Sequence, residues 1–315
     1  MRSECLKSKS KPQGRDAGNY FLIMTKIYLS AILLIFILTG CASNNDNYIS
    51  ADEYFAHQIK GDIYKIGGKA VKPNDYERLK FLADSARQNS PVAEHSVVLS
   101  DSDGTPYTLG IGLPHGFERK RAYPLIIYLH GGIGTEVTDK GERAWEMLGG
   151  LRDCVDVILA SPSGNRFAPW WTARGQGRIN HAVYYVNTMY TVDTAKIFLA
   201  GVSDGATGCY AVASTPNVSK IFAGFFAISG FGGILPNLGF PLSVSYMRDI
   251  PIYNIQGGKD RLYPISAVTD FIEYLQKNGV PVTSKIYPEE EHGFDYKERE
   301  FPKLAELVRE WKRAD

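Results

Sequence analysis

The sequence predicts an α/β fold: one mostly parallel central sheet with helices on both faces. Three observations carry this. From His95 onward, short apolar runs alternate with longer helix-like stretches, the pattern of strands buried on both faces and linked by helical crossovers. The 315 residues are 44% hydrophobic and 22% charged, the mix of a packed globule, which excludes a disordered or collagen-like chain. Gly at 31, Pro at 16 and aromatics at 12% fit many tight turns around a rigid aromatic-rich core. Lys plus Arg number 35 against 34 for Asp plus Glu, so no basic excess exists to grip phosphate, and no nucleic-acid partner is expected.

Residues 1–40 read as an address. Ile27–Leu38 is an almost unbroken apolar run, preceded by Lys26 and followed by small residues. A spanning helix needs roughly 17–25 apolar residues. This run is shorter, with the layout of a secretory signal; an uncleaved anchor helix is the alternative. Met24-Thr25-Lys26 makes a normal n-region by itself, so the polar residues before it suggest an upstream start. Leu38-Thr39-Gly40-Cys41 resembles the bacterial lipobox, which implies a diacylglycerol on Cys41, a new N-terminus there and anchoring in the bacterial cell envelope. Ala42 after it resembles the signal for outer-membrane retention. Residues 1–40 carry six Lys/Arg and two Asp/Glu, so their removal leaves 29 basic against 32 acidic side chains. That balance implies no charged partner.

Residues 41–94 read as a polar tether and a helical N-terminal segment, interrupted at Gly67-Gly68 and Pro73, and residues 95–315 as the main domain. Ser96–Ser100 and Tyr107–Gly112 flank Asp101-Ser102-Asp103-Gly104, a hairpin signal. Strands are then expected at Pro124–Leu129, Val155–Ala160, Lys196–Ala200, Phe222–Ile228, Ile252–Ile255 and Val282–Tyr287. Helices are expected near Glu142–Leu148, His181–Tyr190, Ala206–Ala213, Ser266–Asn278 and Pro302–Lys312. Cys154 and Cys209 are either a disulfide of an exported protein or two small buried hydrophobes; their places beside predicted core elements favour the second.

In such sheets reactive groups sit past the C-terminal ends of the strands. Gly201-Val202-Ser203-Asp204-Gly205 follows one strand directly and opens a helix. G-x-S-x-G in that context is a nucleophile elbow. The turn is tight enough that side chains two positions either side of Ser203 would collide with each other and with the neighbouring strand. It lifts the Ser203 hydroxyl to the sheet rim and aims the Asp204 N–H at the same point. The plain alternative is a glycine-rich turn with an N-cap serine.

A serine hydroxyl needs a base. Five histidines precede Ser203 and one follows it, His292, just beyond the last strand. The orienting acid falls between them in chain order. Asp249 precedes its strand and Asp270 lies within a helix, which leaves Asp260, just after Ile252–Ile255, to accept the His292 Nδ1–H and fix its tautomer. His130-Gly131-Gly132-Ile133-Gly134 follows another strand; its glycines let the main chain approach a substrate carbonyl and supply a second N–H, from Gly132 or Ile133, beside that of Asp204. His130 is expected to brace this loop.

Trp170 and Trp171 follow a further strand end and are candidates for stacking on a substrate ring, or else pin their loop to the core. Arg166, Arg174 and Arg178 are candidates for holding a carboxylate, or are simply solvated. Gly230–Leu242 is a candidate flexible lid. No large insertion between strands is evident, so an open site is expected.

Together, His130-Gly131-Gly132, Gly201–Gly205, Asp260 with Pro264, and His292-Gly293 resemble the secreted serine esterases of the α/β-hydrolase superfamily, the group of polyhydroxybutyrate-depolymerase-like and feruloyl-esterase-like proteins. The resemblance covers about residues 95–313. One departure is Ala206, where many relatives carry a third glycine. The resemblance implies hydrolysis of a small-molecule or polysaccharide-linked carboxylic ester through an acyl-enzyme, with no metal or cofactor. A serine peptidase on the same fold, or a non-catalytic surface binding protein, is the alternative.

Overall fold

The computed structural model describes residues 65–66, 69–70, 94–136, 140–143 and 147–313. The expected signal, Cys41 and most of the 41–94 segment lie outside these residues. Within that segment, Lys65–Ile66 pairs antiparallel with Lys69–Ala70, a short strand pair inside a stretch read as helical.

An eight-stranded sheet forms the centre: β1 (Glu94–Ser100), β2 (Pro106–Gly112), β3 (Tyr123–Leu129), β4 (Ile158–Pro162), β5 (Val192–Val202), β6 (Gly224–Ile228), β7 (Ile252–Gly257) and β8 (Val282–Tyr287). Their order across the sheet is β1-β2-β4-β3-β5-β6-β7-β8. Pairing is parallel except on either side of β2. The hairpin turn is closed by Asp101 N–H to Thr105 O and Gly104 N–H to Asp101 O, both 2.9 Å.

The sheet is buried on both faces. In β3, Leu125, Ile127 and Leu129 point into one apolar cluster and Ile126 and Tyr128 into another. The first cluster takes in α1 (Ala173–Met189), α2 (Asp204–Ala213) and α3 (Ile265–Lys277). The second takes in α4 (Lys297–Glu310) through Phe301, Leu304, Ala305, Leu307 and Val308. At about 1.5–3 kcal/mol per buried Leu, Ile, Val or Phe, these two layers supply the driving force for the fold. Cys209 belongs to the first cluster and Cys154 packs against the second, so the sheet separates them; both thiols are free.

Several bounds differ from expectation for physical reasons. Helix α1 begins at Ala173 rather than His181: Thr172 caps it, accepting from Gly175 N–H at 3.2 Å. Gly175 looks like a loop residue in the sequence, yet only a glycine fits there, since an added Cβ would lie 2.0 Å from Pro169 O. Helix α4 starts at Lys297 and carries Pro302 inside it. Glu300, buried and hydrogen-bonded by the hydroxyls of Tyr253 and Tyr287, ties that first stretch down despite the proline. Of the helix expected at 142–148, residues 142–143 end a 3-10 turn at Lys140–Arg143, 144–146 lie outside the described residues, and 147–148 are helical, running into the 3-10 turn Gly149–Asp153.

The segment expected as a lid is packed at its start. Gly232–Leu238 is a 3-10 turn with Leu235 buried. Asn254 donates to Gly230 O at 3.3 Å and Thr207 to Phe231 O at 3.2 Å. With both carbonyls held by buried donors, the N-terminal half of Gly230–Leu242 is part of the core and not a hinge.

Candidate active site

Strand β5 ends at Val202 and α2 begins at Asp204, leaving Ser203 alone in the turn with φ 57° and ψ −120°. A non-glycine residue in such backbone costs about 1–3 kcal/mol and persists only where its surroundings dictate it. Here they do. Ser203 N–H donates to Ile228 O at 2.9 Å. An added Cβ on Gly205 would lie 1.9 Å from Leu129 O, and one on Gly201 2.2 Å from Gly205 O. These are the collisions the glycines avoid. The room a third glycine would give at Ala206 is supplied across the turn by Gly230, whose added Cβ would lie 2.9 Å from the Ala206 Cβ.

The structure brings Ser203, His292 and Asp260 into one hydrogen-bonded line. His292 Nε2 stands 3.1 Å from Ser203 Oγ, and His292 Nδ1 stands 2.9 Å from Asp260 Oδ2. The loops after β7 and β8 are stitched together by Gly258 N–H to Tyr287 O at 2.7 Å and Lys259 N–H to Glu290 O at 2.8 Å, which sets the aspartate against the histidine. The Tyr263 ring lies against the imidazole, 5.6 Å between centroids.

Asp260 is buried. Burial pushes its carboxyl upward, but hydrogen bonds from His292 and from the main-chain N–H groups of Tyr263 and Leu262 outweigh it and hold the carboxyl below its ordinary value. An ionised carboxylate only accepts. The His292 proton therefore sits on Nδ1, and Nε2 offers a lone pair to the Ser203 hydroxyl. Gln256, at the end of β7, adds a donor to the same Asp260 oxygen at 2.9 Å. It was not singled out in the sequence; its one signal is a polar side chain near the C-terminal end of an apolar strand.

The glycine loop after β3 passes against the nucleophile: an added Cβ on Gly131 would lie 2.9 Å from the Ser203 Cβ. Gly164 N–H donates to His130 Nε2 at 2.8 Å, so the His130 proton sits on Nδ1 and donates to Gly131 O at 2.8 Å. Burial lowers this imidazole to about 4, so it stays neutral. Holding Gly131 O fixes the direction of Gly132 N–H, because the two belong to one trans peptide. His130 thus braces the loop as expected.

The two alternatives for the second donor separate here. Ile133 N–H donates to Asp204 Oδ2 at 3.0 Å and is occupied. Gly132 N–H, like the first-turn N–H of Asp204, has no acceptor among the described residues.

Trp170 is corrected as a substrate residue. It is fully buried, donates from Nε1 to His130 O at 3.0 Å, and presses on Gly164 and Gly208, whose added Cβ atoms would lie 2.4 and 2.5 Å from it. It pins the loop and has no face left for a ligand. Trp171 is partly exposed and packs against the larger core cluster. The arginines are also engaged. Arg178 is buried, binding Asp101 through both Nε and Nη2 at 2.9 and 2.5 Å. Arg174 pairs with Asp103 and Arg166 with Glu136.

The sheet order, the helices on both faces and the elbow after β5 define an α/β-hydrolase-fold protein. Residues 164–314, just under half the chain, match the dienelactone hydrolase family. Solved structures share the fold. A thermostable esterase is 19% identical at a TM-score of 0.53, over 70% of this chain and 64% of its own. A ferulic acid esterase is 17% identical at 0.52, over 69% and 97%. The acylaminoacyl peptidase of Pyrococcus horikoshii is 13% identical at 0.53, over 74% of this chain and 44% of its own. The chain thus spans less than two thirds of the first and third of these. No curated protein matches the sequence.

Proposed function

We propose that the protein is a serine hydrolase that cleaves carboxylic esters through an acyl-enzyme. The observation that carries this reading is the hydrogen-bonded line from Asp260 through His292 to Ser203 at 2.9 and 3.1 Å. Ser203 Oγ attacks the ester carbonyl carbon as its proton passes to His292 Nε2. The carbonyl oxygen takes up negative charge and accepts from the N–H groups of Gly132 and Asp204. Such donors are typically worth about 10²–10³ each in rate. His292 then gives its proton to the departing alkoxide, leaving acyl-Ser203. A water, deprotonated by His292, attacks the acyl carbon; the acid leaves and Ser203 regains its proton. Asp260 stays ionised throughout and stabilises the imidazolium.

The rim suits a bulky or polymeric alcohol, and an acylated or feruloylated polysaccharide is the substrate class we assign. Between β6 and β7 the chain forms only two 3-10 turns, Gly232–Leu238 and Val244–Met247, and no cap. The fold likeness to a ferulic acid esterase points the same way. With Cys41 as lipid site, the enzyme would act from the bacterial envelope.

The test is Ser203→Ala against wild type on p-nitrophenyl acetate, acetyl-xylan and feruloyl esters. Loss of the nucleophile is expected to cost on the order of 10⁶-fold in kcat, the scale seen when a serine hydrolase loses its serine. A variant with wild-type turnover would refute the assignment. The likeness to an acylaminoacyl peptidase favours one second reading, a peptidase. Peptide and ester substrates at equal concentration separate the two.

A further inference from the structure

We infer that Asp204 and Lys140 are positioning residues that clamp the Gly132–Ile133 peptide and so lock the two halves of the oxyanion hole together; the inference rests on the ester-hydrolase reading above. This peptide group is gripped at both ends. Its N–H, on Ile133, donates to Asp204 Oδ2 at 3.0 Å. Its carbonyl, on Gly132, accepts from Lys140 Nζ. An anion holds the donor and a cation holds the acceptor, so both bonds are charge-assisted. Turning the peptide over would set its oxygen against the carboxylate and its N–H against the ammonium.

The loop has need of such a clamp. Gly132 sits at φ +64°, and glycine restrains its own backbone least of all residues. The donor pair is also split between two strands: Gly132 lies in the loop after β3, and Asp204 follows β5. The Ile133–Asp204 bond ties these segments directly, so the residue that donates its main-chain N–H to the developing oxyanion uses its side chain to fix the partner donor's loop. His130 holds the preceding peptide through Gly131 O, so two successive peptides are oriented by side chains. Lys140 is itself moored, its N–H donating to Ser163 Oγ at 3.1 Å. Its ammonium also balances a carboxylate placed beside a site where negative charge develops.

The experiment compares wild type with Asp204→Ala, Asp204→Asn and Lys140→Met by steady-state kinetics on p-nitrophenyl acetate, by inhibition with a trifluoromethyl ketone that forms a tetrahedral serine adduct, and by hydrogen exchange at the Ile133 amide. Asp204→Ala is expected to lower kcat about 10–100-fold, since a donor misplaced by an ångström costs on that order. KM should stay within about threefold and ketone affinity should fall in parallel with kcat, as a loss confined to the tetrahedral state requires. Exchange at Ile133 should speed up at least about tenfold as its acceptor is removed. Asp204→Asn keeps an acceptor oxygen and should recover most of that loss in kcat and in protection. Lys140→Met should lower kcat several-fold. The inference is overturned if Asp204→Ala turns over within threefold of wild type, if Asp204→Asn is as slow as Asp204→Ala, or if Ile133 exchanges equally fast in all proteins. Should Asp204→Ala not fold, Asp204→Asn and Lys140→Met decide: wild-type kcat in Lys140→Met overturns it. A wild type that neither turns over esters nor takes a fluorophosphonate on Ser203 sinks the esterase reading instead, while Ile133 exchange still reports the clamp.

Discussion

Gln256 donates to the same Asp260 oxygen that faces His292, and at the same 2.9 Å. Among the described residues the carboxylate thus has four donors: His292, Gln256 and the N–H groups of Leu262 and Tyr263. Gln256 is fully buried. Gln256→Leu keeps most of the volume and removes one bond to a charged group, a loss of about 1.5–3 kcal/mol. Urea unfolding at pH 7 should register that loss, with kcat reduced and KM little changed. Stability within about 0.5 kcal/mol of wild type, the range of neutral surface changes, would show that the amide carries nothing.

The depressed carboxyl of Asp260 makes stability depend on pH with a definite sign. A carboxyl lower in the folded than in the unfolded chain contributes fully above the unfolded value of about 3.9 and loses that contribution as pH falls through the folded value. The stability gap between wild type and Asp260→Asn should therefore shrink as pH falls below about 4. A gap that goes on widening below about pH 4 contradicts the assignment. The same variant should lose on the order of 10⁴ in kcat, because an amide at this position favours the wrong histidine tautomer.

Two glycines give opposite expectations for one substitution. Gly205→Ala drives a Cβ to 1.9 Å from Leu129 O, a backbone atom of the central sheet that cannot retreat. The loss should exceed about 4 kcal/mol, and little folded protein should accumulate. Gly177 is exposed on α1 with nothing within 4 Å of an added Cβ. Gly177→Ala should stabilise by about 0.5–1 kcal/mol through helix propensity alone. Thermal melts of the two proteins test both signs at once.

The proximity of Ser203, Asp260 and His292 could be read from sequence because each lies just past a strand, and parallel strands deliver those ends to one rim. The strands themselves were legible because burial on both faces writes a continuous apolar run, as in Tyr123–Leu129. Contacts formed only after folding were not. Gln256 lies only four residues before Asp260, but nothing in the sequence shows that the loop after β7 folds back to bring the two together. Nothing local marks the Asp204 carboxylate as the acceptor for Ile133, since that bond joins the loop after β3 to the turn after β5. Trp170 read as a rim aromatic because it follows a strand end; glycines at 164 and 208, far apart in the chain, open the slot that buries it. The starts of α1 and α4 were hidden by Gly175 and Pro302, residues whose local preference is overruled by tertiary packing.

Arg178 offers the sharpest separation between a structural and a ligand-binding reading. Its guanidinium binds Asp101 through two nitrogens, donates to Ser163 O at 2.7 Å and lies over the Tyr107 ring at 4.3 Å, all out of solvent. It joins α1 to the hairpin turn and to the loop after β4. Arg178→Ala leaves the buried Asp101 carboxylate with Arg174 alone, 3.7 Å away and outside hydrogen-bond distance, a loss of up to about 3–5 kcal/mol. Arg166, in an exposed pair with Glu136, should cost at most about 1 kcal/mol when changed to Ala. Asp101→Asn combined with Arg178→Met should recover part of the Arg178→Ala loss, since no lone charge is left buried. If Arg178 held a substrate carboxylate, its variants would raise KM for anionic esters while neutral esters kept theirs. The expected result is unchanged KM for both substrate types in whatever fraction folds, with the whole effect in the unfolding midpoint.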